Sequence, residues 1–428
     1  MLRINKLSAF LLLFATIFIS SCKQTSQELT IKSLKIEGTE AVDPYLTRDN
    51  QQNPVLCWTE KSGADSLYRL KYAVFNPETE SFDSTVTIHQ SSGTNPSPES
   101  MNKVAFKNDG TVIAVFRKKF KNEKNPYAGA IYYSLSADNG KTWTPSQYLH
   151  SDTSHTYGRS FFDLTSLPNG EVAAIWLDGR FWKAETGSAL FFSKTEKGKG
   201  FTTDKCITKS TCECCRTALI TDEKGNIHIA YRSIASEKIS ETQIRDMSYI
   251  FSSDNGETFS KPANISDDKW EIKGCPHTGP SLAVSNLGVN ALWYSGGASS
   301  GIYFASARTP QEGFSLRTLQ TVSGRHPQME ALSQSQLALV WEEITPDTTK
   351  KQIQKRAHNG MQHGSASSPS DIFIKILNKN KEEKTLKISG KGKSFHHPVI
   401  TTVKDRLVVA WAEDDKNKKS LNYSLLEL

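Results

Sequence analysis

A unit of two strands recurs seven times along the chain. Each copy starts with proline or a small residue, runs through a short apolar strand and a polar turn, and ends in a second apolar strand that carries an aromatic residue. These aromatic residues are Trp58, Phe116, Trp176, Tyr231, Trp293, Trp341 and Trp411. Repeats of roughly 40 to 50 residues or more, built from short strands, are typical of propellers. The repeats therefore predict an all-β propeller of four-stranded antiparallel blades, with seven blades.

The seventh repeat lacks an outer strand. After Trp411 it has only one further strand-like run, residues 421–425, before the chain stops. The run at residues 29–36 can supply the missing strand from the other end of the sequence. A clasp of this kind removes an open sheet edge, so we expect the N-terminal strand to close the last blade.

Two segments share the pattern Ser-x-Asp-x-Gly-x-Thr-aromatic, at residues 136–143 and 252–259. Asp138 and Asp254 can accept hydrogen bonds from backbone N–H groups ahead of them, and the Asn-Gly that follows each supplies positive φ angles. The pattern resembles the Asp-box of sialidases and their relatives, which lies at the outer hairpin of a propeller blade. The resemblance implies a sialidase-like propeller and makes six blades the alternative to seven.

The N-terminus has the pattern of an export signal. Arg3 and Lys6 precede an apolar run at residues 7–19 that is short for a spanning helix, and the run ends in Ile-Ser-Ser-Cys22. This resembles a bacterial lipobox, which implies cleavage before Cys22 and lipid attachment to it. We expect a signal peptide at 1–21, a lipidated tether at 22–28 and the propeller at 29–428. The lipid is expected to anchor the protein in the outer membrane, and the sequence does not decide between the periplasmic face and the surface face. A plain signal peptide is the alternative.

The charge of the chain argues against nucleic acid as a partner. Without residues 1–21, 50 basic residues face 45 acidic ones, because that segment removes two of the 52 basic residues and none of the acidic ones. The excess is thinly spread, whereas nucleic-acid binders concentrate positive charge on one face. The one dense patch, at residues 375–393, is interpreted as a solvated hairpin.

Residues just before the innermost strands of a propeller line one mouth of its central channel. The candidates at these positions are Asp43, Arg159, Cys215, Arg216, Cys275, His277, Arg325, His326, His396 and His397. Several cationic groups in one funnel favour an anionic ligand such as a carboxylate or a sulfate. We therefore expect an acidic glycan or another anionic ligand at the mouth.

The resemblance to sialidases also implies a catalytic set: three arginines for the sugar carboxylate, a tyrosine nucleophile with a glutamate partner, and an aspartate acid/base. The matching residues are Arg159, Arg216 and Arg232 for the triad, Tyr294 with Glu330 or Glu342 for the nucleophile, and Asp163 or Asp178 for the acid/base. Arg159 opens a segment similar to the family's Arg-Ile-Pro strand but lacks the proline. Each of these residues could instead form a buried structural ion pair. The leading prediction is an exo-glycosidase of sialidase type that acts on an acidic glycan.

The cysteines depart from the family pattern. Besides Cys22 and a buried thiol expected at Cys57, they are Cys206, Cys212, Cys214, Cys215 and Cys275. Exported proteins usually pair cysteines in disulfides, and Cys215 with Cys275, or Cys206 with Cys212 or Cys214, are the candidate pairs. The other interpretation is a copper or zinc site formed by Cys212, Cys214, Cys215, Cys275 and His277.

Two other functions stay open beside glycoside hydrolysis. The first is a propeller that binds a glycan or a protein without catalysis, because the sialidase set is matched only in part. The second is a metal-dependent or redox propeller built on the cysteine and histidine residues. No cofactor is assigned from the sequence.

Overall fold

Strand pairing in the computed structural model produces seven four-stranded antiparallel sheets, which confirms the predicted propeller and its blade count. The structure describes residues 30–235, 243–272, 274–286, 288–333, 335–344, 369–378, 385–390, 393–415 and 418–427. The predicted signal peptide, Cys22 and part of the basic patch at 375–393 lie outside these ranges.

The strands follow the chain in blade order, and each blade runs from its innermost to its outermost strand. The first strand, β1 (Ile31–Ser33), belongs to the last blade. Blade 1 contains β2 (Glu40–Arg48), β3 (Pro54–Lys61), β4 (Tyr68–Val74) and β5 (Thr85–Thr87), followed by a short 3₁₀ helix at His89–Ser91. Blade 2 contains β6 (Lys103–Phe106), β7 (Val112–Lys119), β8 (Gly129–Ser136) and β9 (Gln147–Tyr148). Blade 3 contains β10 (Arg159–Ser166), β11 (Val172–Asp178), β12 (Ser188–Lys194) and β13 (Lys205–Thr211).

The second half of the ring continues in the same way. Blade 4 contains β14 (Ala218–Thr221), β15 (Ile227–Arg232), β17 (Met247–Ser252) and β18 (Ala263–Asn264), with a small extra sheet formed by β16 (Gln243–Ile244) and β19 (Glu271–Ile272). Blade 5 contains β20 (Ser281–Ser285), β21 (Gly288–Ser295), β22 (Gly301–Ala307) and β23 (Thr318–Thr321). Blade 6 contains β24 (Gly324–Ser333), β25 (Gln336–Ile344), β26 (Ser370–Asn378) and β27 (Thr385–Lys387). Blade 7 contains β28 (Ser394–Val403), β29 (Arg406–Asp415), β30 (Lys418–Glu427) and β1.

The N-terminal strand closes the ring as predicted. Ile31 pairs with Ser424 and Ser33 pairs with Asn422, so β1 becomes the outer strand of blade 7 beside β30. Residues from both ends of the chain also pack into one apolar cluster between blades 1 and 7, which includes Trp58 and Tyr423. The clasp leaves blade 7 with the same four strands as its neighbours.

The core is divided among the contacts between neighbouring blades. All seven second-strand aromatic residues are at most 2% exposed. Each blade has two buried faces, which explains why strands such as β11 are buried along their whole length and read as continuous apolar runs. Among the described residues, no helix is long and apolar enough to cross a membrane.

Three of the buried tryptophans bond to an acid two residues later on the same strand. The indole nitrogen of Trp58 donates to Glu60 (2.8 Å), that of Trp176 to Asp178 (3.3 Å) and that of Trp341 to Glu343 (2.8 Å). Residues two apart on a strand lie on the same face, so the spacing brings each acid to its indole. These acids therefore satisfy the only polar atom of a deeply buried tryptophan.

Both Asp-box segments form the turn between the third and fourth strands of their blades. Asp138 accepts hydrogen bonds from the backbone N–H (2.8 Å) and the hydroxyl (2.6 Å) of Thr142. Asn139 and Gly140 have φ angles of 58° and 85°, the left-handed geometry that an Asn-Gly turn supports. Asp254 makes the equivalent bonds to Thr258. The two turns are thus structural elements of the outer rim.

Candidate functional site

Side chains of non-adjacent blades meet at the end of the axis where the innermost strands begin, which we call the channel mouth. Arg216, just before β14 of blade 4, donates a hydrogen bond to the carbonyl oxygen of Pro327 in blade 6 (3.0 Å). Its guanidinium also lies 3.6 Å from a carboxylate oxygen of Glu99, in the segment that leads into blade 2. Blades 2, 4 and 6 of a seven-bladed ring are not neighbours. Arg216 therefore bridges them across the axis.

The innermost strands carry a left-handed residue near their start. Asp43, Phe161, His326 and His397 have φ angles between 48° and 57°, and each lies at an irregularity in the pairing of its strand. His277 has a φ angle of 49° shortly before β20. A bulge of this kind redirects a side chain, and such backbone strain is concentrated at functional sites. The bulges show how the mouth residues leave the regular sheet pattern.

Five side chains at this end form what we call the mouth cluster: Glu99, Arg216, His326, Glu342 and His397. His326 places Nδ1 2.8 Å from Glu342 and Nε2 3.9 Å from Glu99. The backbone N–H of His397 donates to the other oxygen of Glu342 (2.8 Å), and the rings of His326 and His397 lie 4.5 Å apart. Glu342 thus orients two histidines that belong to different blades.

The two histidines of the mouth cluster have opposite protonation tendencies. Burial alone would lower the pKa of His326, but the charge and hydrogen bond of Glu342, together with the charge of Glu99, raise it above its ordinary value. Burial and the positive charge of His326 lower the pKa of His397 to about 3. Burial opposes ionisation of Glu342, but the histidines outweigh it and hold its pKa far below the usual range. The same contacts therefore favour the protonated form of His326 and the neutral form of His397.

Glu99 is the least satisfied member of the mouth cluster. It is 5% exposed, yet neither of its carboxylate oxygens accepts a hydrogen bond within the described parts of the chain. The ligand atoms of Glu99, His326 and His397 lie within 4.8 Å of one another. A buried carboxylate without donors is costly. Glu99 can therefore accept hydrogen bonds from a polar ligand at the mouth.

A second polar group connects the innermost strands of several blades. Lys103 of blade 2 donates to Asp163 of blade 3 (2.7 Å), and the hydroxyl of Tyr45 in blade 1 donates to the same oxygen (3.3 Å). The other oxygen of Asp163 accepts from the backbone N–H of Leu219 in blade 4 (2.9 Å). Asp163, a predicted acid/base residue, thus links four blades.

Two other predicted residues pair with each other in blade 3. Arg159 donates to Asp178 (3.1 Å) and also contacts Asp152 (2.6 Å), and both Arg159 and Asp178 are 0% exposed. Arg180 contacts the same oxygen of Asp178 (2.7 Å). The structure therefore places Arg159 and Asp178 in a buried ion-pair network, which is the structural alternative that the sequence left open.

Arg232, Tyr294 and Glu330 do not contact one another through their side chains. Arg232 donates to the carbonyl oxygens of Arg245 (2.8 Å) and Tyr294 (2.9 Å). The Tyr294 hydroxyl lies 2.9 Å from that of Ser300, whereas Glu330 pairs with Arg48 (2.8 Å). Of the three predicted arginines, only Arg216 belongs to the mouth cluster, and neither predicted glutamate is a hydrogen-bond partner of the Tyr294 hydroxyl.

The predicted disulfides are not observed. All six cysteines in the described residues are free thiols, including Cys57, which is buried as expected. Cys206 lies exposed on β13, the outer strand of blade 3, and its sulfur contacts the carbonyl oxygen of Thr208 (3.5 Å). The sulfurs of Cys212 and Cys215 are 3.1 Å apart, beyond the S–S bond length of about 2.05 Å. The predicted disulfide between Cys206 and Cys212 or Cys214 is therefore not formed, and Cys206 instead lies exposed on the outer strand of blade 3.

Sequence reasoning missed Glu99, Lys103 and Tyr45. Each precedes or opens an innermost strand, or lies on one, and Glu99 follows the Pro-Ser-Pro that starts the second repeat. Like Arg216 in the fourth repeat, Glu99 lies within a few residues of the start of an innermost strand, and this is the signal that could have found it.

Comparison with known proteins adds support for the fold. No protein-family profile matches the chain, and no curated protein matches it. The polysaccharide lyase Uly1 is similar in structure, with a TM-score of 0.52 and 11% identity over 93% of this chain and 91% of the lyase. The Hadza microbial sialidase Hz136 has a TM-score of 0.46 and 15% identity over 85% of this chain and 74% of the sialidase. A protein of unknown function from Dyadobacter fermentans DSM 18053 has a TM-score of 0.49 and 15% identity over 77% of this chain and 94% of that protein. At 11% identity, the similarity to the polysaccharide lyase shows a shared fold and no more.

Proposed function

We propose that the protein is a glycan-active propeller that takes an acidic sugar unit at the mouth cluster. The observation that carries the proposal is Glu99, a buried carboxylate without hydrogen-bond donors, between the guanidinium of Arg216 and the imidazole ring of His326. Sugar hydroxyls can donate to Glu99. A carboxylate or sulfate on the same sugar can accept from Arg216 and His326. The polysaccharide lyase that shares the fold acts on glycans by its name, which agrees with this proposal.

The sialidase-type route remains a prediction for the reaction. It needs the Tyr294 hydroxyl to act as nucleophile with Glu330 or Glu342 as its partner. In the structure this hydroxyl contacts Ser300, and the two glutamates contact Arg48 and His326. Hydrolysis by this set therefore requires Tyr294 to change partners when substrate binds.

The paired histidines favour elimination as a second candidate reaction. The neutral imidazole of His397 can accept the proton on the carbon next to a sugar carboxylate, and Arg216 with His326 can hold that carboxylate. The electron pair of the broken C–H bond forms a double bond, and the glycosidic C–O bond at the adjacent carbon breaks. The leaving oxygen takes the proton that His397 has accepted, which returns His397 to its neutral form.

Product analysis distinguishes these functions. We expect the full chain to release fragments from a sialylated glycan or from a uronate-containing polysaccharide, measured as new reducing ends. Elimination adds a conjugated double bond that absorbs in the near ultraviolet, whereas hydrolysis does not. His397→Gln should stop elimination and Tyr294→Phe should stop sialidase-type hydrolysis. Binding without products would identify the non-catalytic alternative, and a failure to bind or cleave any acidic glycan would refute the proposal.

Retention of the acidic glycan should also depend on pH. The pKa of His326 is raised, so its positive charge is fully present below the ordinary histidine range and is lost as the pH rises through the raised value. We expect retention to weaken as the pH rises through this raised pKa, measured by affinity at constant ionic strength. His326→Gln should flatten this dependence, and an unchanged profile in that variant would contradict the assignment.

We also propose that the protein is lipid-anchored through Cys22, on the sequence pattern alone. Cys22→Ser should prevent lipid attachment and leave either an uncleaved precursor or a product outside the membrane. Detergent-phase partitioning and incorporation of a labelled fatty acid measure the change, with Cys206→Ser as the matched control. If partitioning is the same in the Cys22 variant and the control, the anchor is wrong.

A further inference from the structure

Four thiols and one imidazole gather at the channel mouth where blades 4 and 5 begin. This group, which we call the thiol cluster, consists of Cys212, Cys214, Cys215, Cys275 and His277. The three cysteines ahead of β14 are at most 5% exposed, and they pack against Cys275 and the ring of Phe161 from blade 3. Cys275 and His277 are partly exposed. Three of the thiols are therefore enclosed by protein, whereas Cys275 and His277 are partly open to solvent.

The spacing of the donor atoms suits a metal ion. The sulfur of Cys212 lies 3.1 Å from that of Cys215 and 3.6 Å from that of Cys214. In a tetrahedral thiolate site with metal–sulfur bonds of about 2.3 Å, ligand sulfurs are about 3.8 Å apart. The sulfurs are thus already close to the separation that a shared ion requires, and a small outward shift of the side chains completes it.

Two overlapping donor sets share one sulfur. The ligand atoms of Cys212, Cys214 and Cys215 lie within 4.8 Å of one another, and the same holds for Cys214, Cys275 and His277. The first set comes from one short segment of blade 4, whereas the second also uses the segment that leads into blade 5. Cys214 is the common ligand, so an ion bound there would connect the two blades.

The surroundings stabilise negatively charged sulfur. Arg245, in the segment just before β17, donates a hydrogen bond to the sulfur of Cys212 (3.1 Å). Its guanidinium also lies 3.9 Å from the sulfur of Cys214. Glu213, between Cys212 and Cys214 in the sequence, lies 3.6 Å from the guanidinium of Arg245 and offsets part of its positive charge. Thiolates are the form in which cysteine binds metals, and a guanidinium directed at two buried sulfurs is an outer-sphere partner of the kind that tunes metal sites.

From this geometry we infer a site for a soft, thiophilic metal ion of the Cu(I) or Zn²⁺ class. Thiolate with imidazole is the donor set that selects such ions over Ca²⁺ and Mg²⁺. Cys212, Cys214 and Cys215 supply the enclosed ligands, and Cys275 and His277 supply the ligands on the open side. An ion held in this way can exchange with the solution or accept a further ligand at the mouth. The site uses none of the mouth-cluster residues, so metal binding can be tested independently of the proposed glycan activity.

Metal analysis of the full chain, purified without oxygen, tests this inference. We expect close to one ion per chain after loading with Cu(I) or Zn²⁺ and removal of excess ion, as for a structural thiolate site. A chromophoric chelator specific for each ion distinguishes the two metals by competition. Cys214→Ser should lose the ion, because it removes the sulfur common to both donor sets. Cys206→Ser is the matched control, since its thiol is exposed on an outer strand, and it should keep the ion.

A second variant and a thiol count make the test decisive. His277→Gln leaves all thiols in place and should weaken metal retention even if Cys214→Ser fails to fold, which circular dichroism would reveal. Three results would each overturn the inference. They are a wild-type chain that takes up neither ion under reducing conditions, blocked thiols in the unreduced denatured protein that indicate disulfides, and full metal retention by folded Cys214→Ser.

Discussion

Replacing Arg216 with methionine should weaken the affinity for an acidic glycan by about 10- to 100-fold. Hydrogen bonds to charged groups contribute about 1.5–3 kcal/mol, and about 1.4 kcal/mol corresponds to a tenfold change in affinity. Arg216 is 7% exposed and lies between Glu99 and the carbonyl oxygen of Pro327. Its loss would leave Glu99 facing the anion without this cation. Isothermal titration with the glycan found in the product assay measures the change.

Two further variants at arginine positions sharpen this result. Arg216→Lys keeps the charge but loses the planar fork, so its affinity should fall between those of the wild type and the methionine variant. Arg308→Met is the matched control, because Arg308 is 84% exposed and pairs with Glu312 on the surface. Equal affinities of Arg216→Met and the wild type, with both folded, would exclude Arg216 from the binding site.

Replacing Asp178 with alanine should lower the free energy of unfolding by about 3–5 kcal/mol, the cost of removing one partner from a buried ion pair. Asp178 accepts hydrogen bonds from Arg159, Arg180 and Trp176. Its removal leaves the fully buried guanidinium of Arg159 with only Asp152 as an acidic partner. Denaturant unfolding measures the effect, and Glu312→Ala, which breaks an exposed pair, should change stability by less than about 1 kcal/mol.

Acid should reproduce part of this loss in the wild-type protein. Burial opposes ionisation of Asp178, but the hydrogen bond from Arg180 and the charges of Arg159 and Arg180 outweigh it and lower its pKa. The stabilisation is therefore present above the ordinary aspartate pKa and is lost as the pH falls through the lower folded-state value. The free energy of unfolding of Asp178→Ala should therefore depend less on pH in this acidic range than that of the wild type. If the variant unfolds at the wild-type denaturant concentration, Asp178 is not part of the stabilising network.

Local patterns determined most of the fold. The spacing of the seven aromatic residues from Trp58 to Trp411 predicted the blades, because each blade buries its second strand on both faces. The Asp-box turns were also readable, since Asp138 and Thr142 bond within four residues of each other. The closing strand followed from an unfilled edge in the last repeat.

The same local signals predicted candidate residues for the channel mouth but not the contacts that these residues make. Arg216, His326 and His397 were expected there because they precede or begin innermost strands, and the structure brings them together. Arg159 occupies a similar position in its repeat, yet it turns into blade 3 towards Asp178. Position along a strand does not say which way a bulged side chain points, because that depends on the neighbouring blades.

What the sequence by itself determined is the repeating architecture, and what only the tertiary structure decided is the chemistry at the axis. Closing the ring brings Glu99 to His326 and Tyr45 to Asp163, pairs that are far apart in sequence and come from blades that do not touch as neighbours. Burial lowers the pKa of His326, but Glu342 of its own blade raises it, and Glu99 from across the axis raises it further. The repeat arises from short-range hydrogen bonds and from burial within and between neighbouring blades. A site at the axis depends on distances between residues of non-adjacent blades, which are set only when the ring of seven blades has closed.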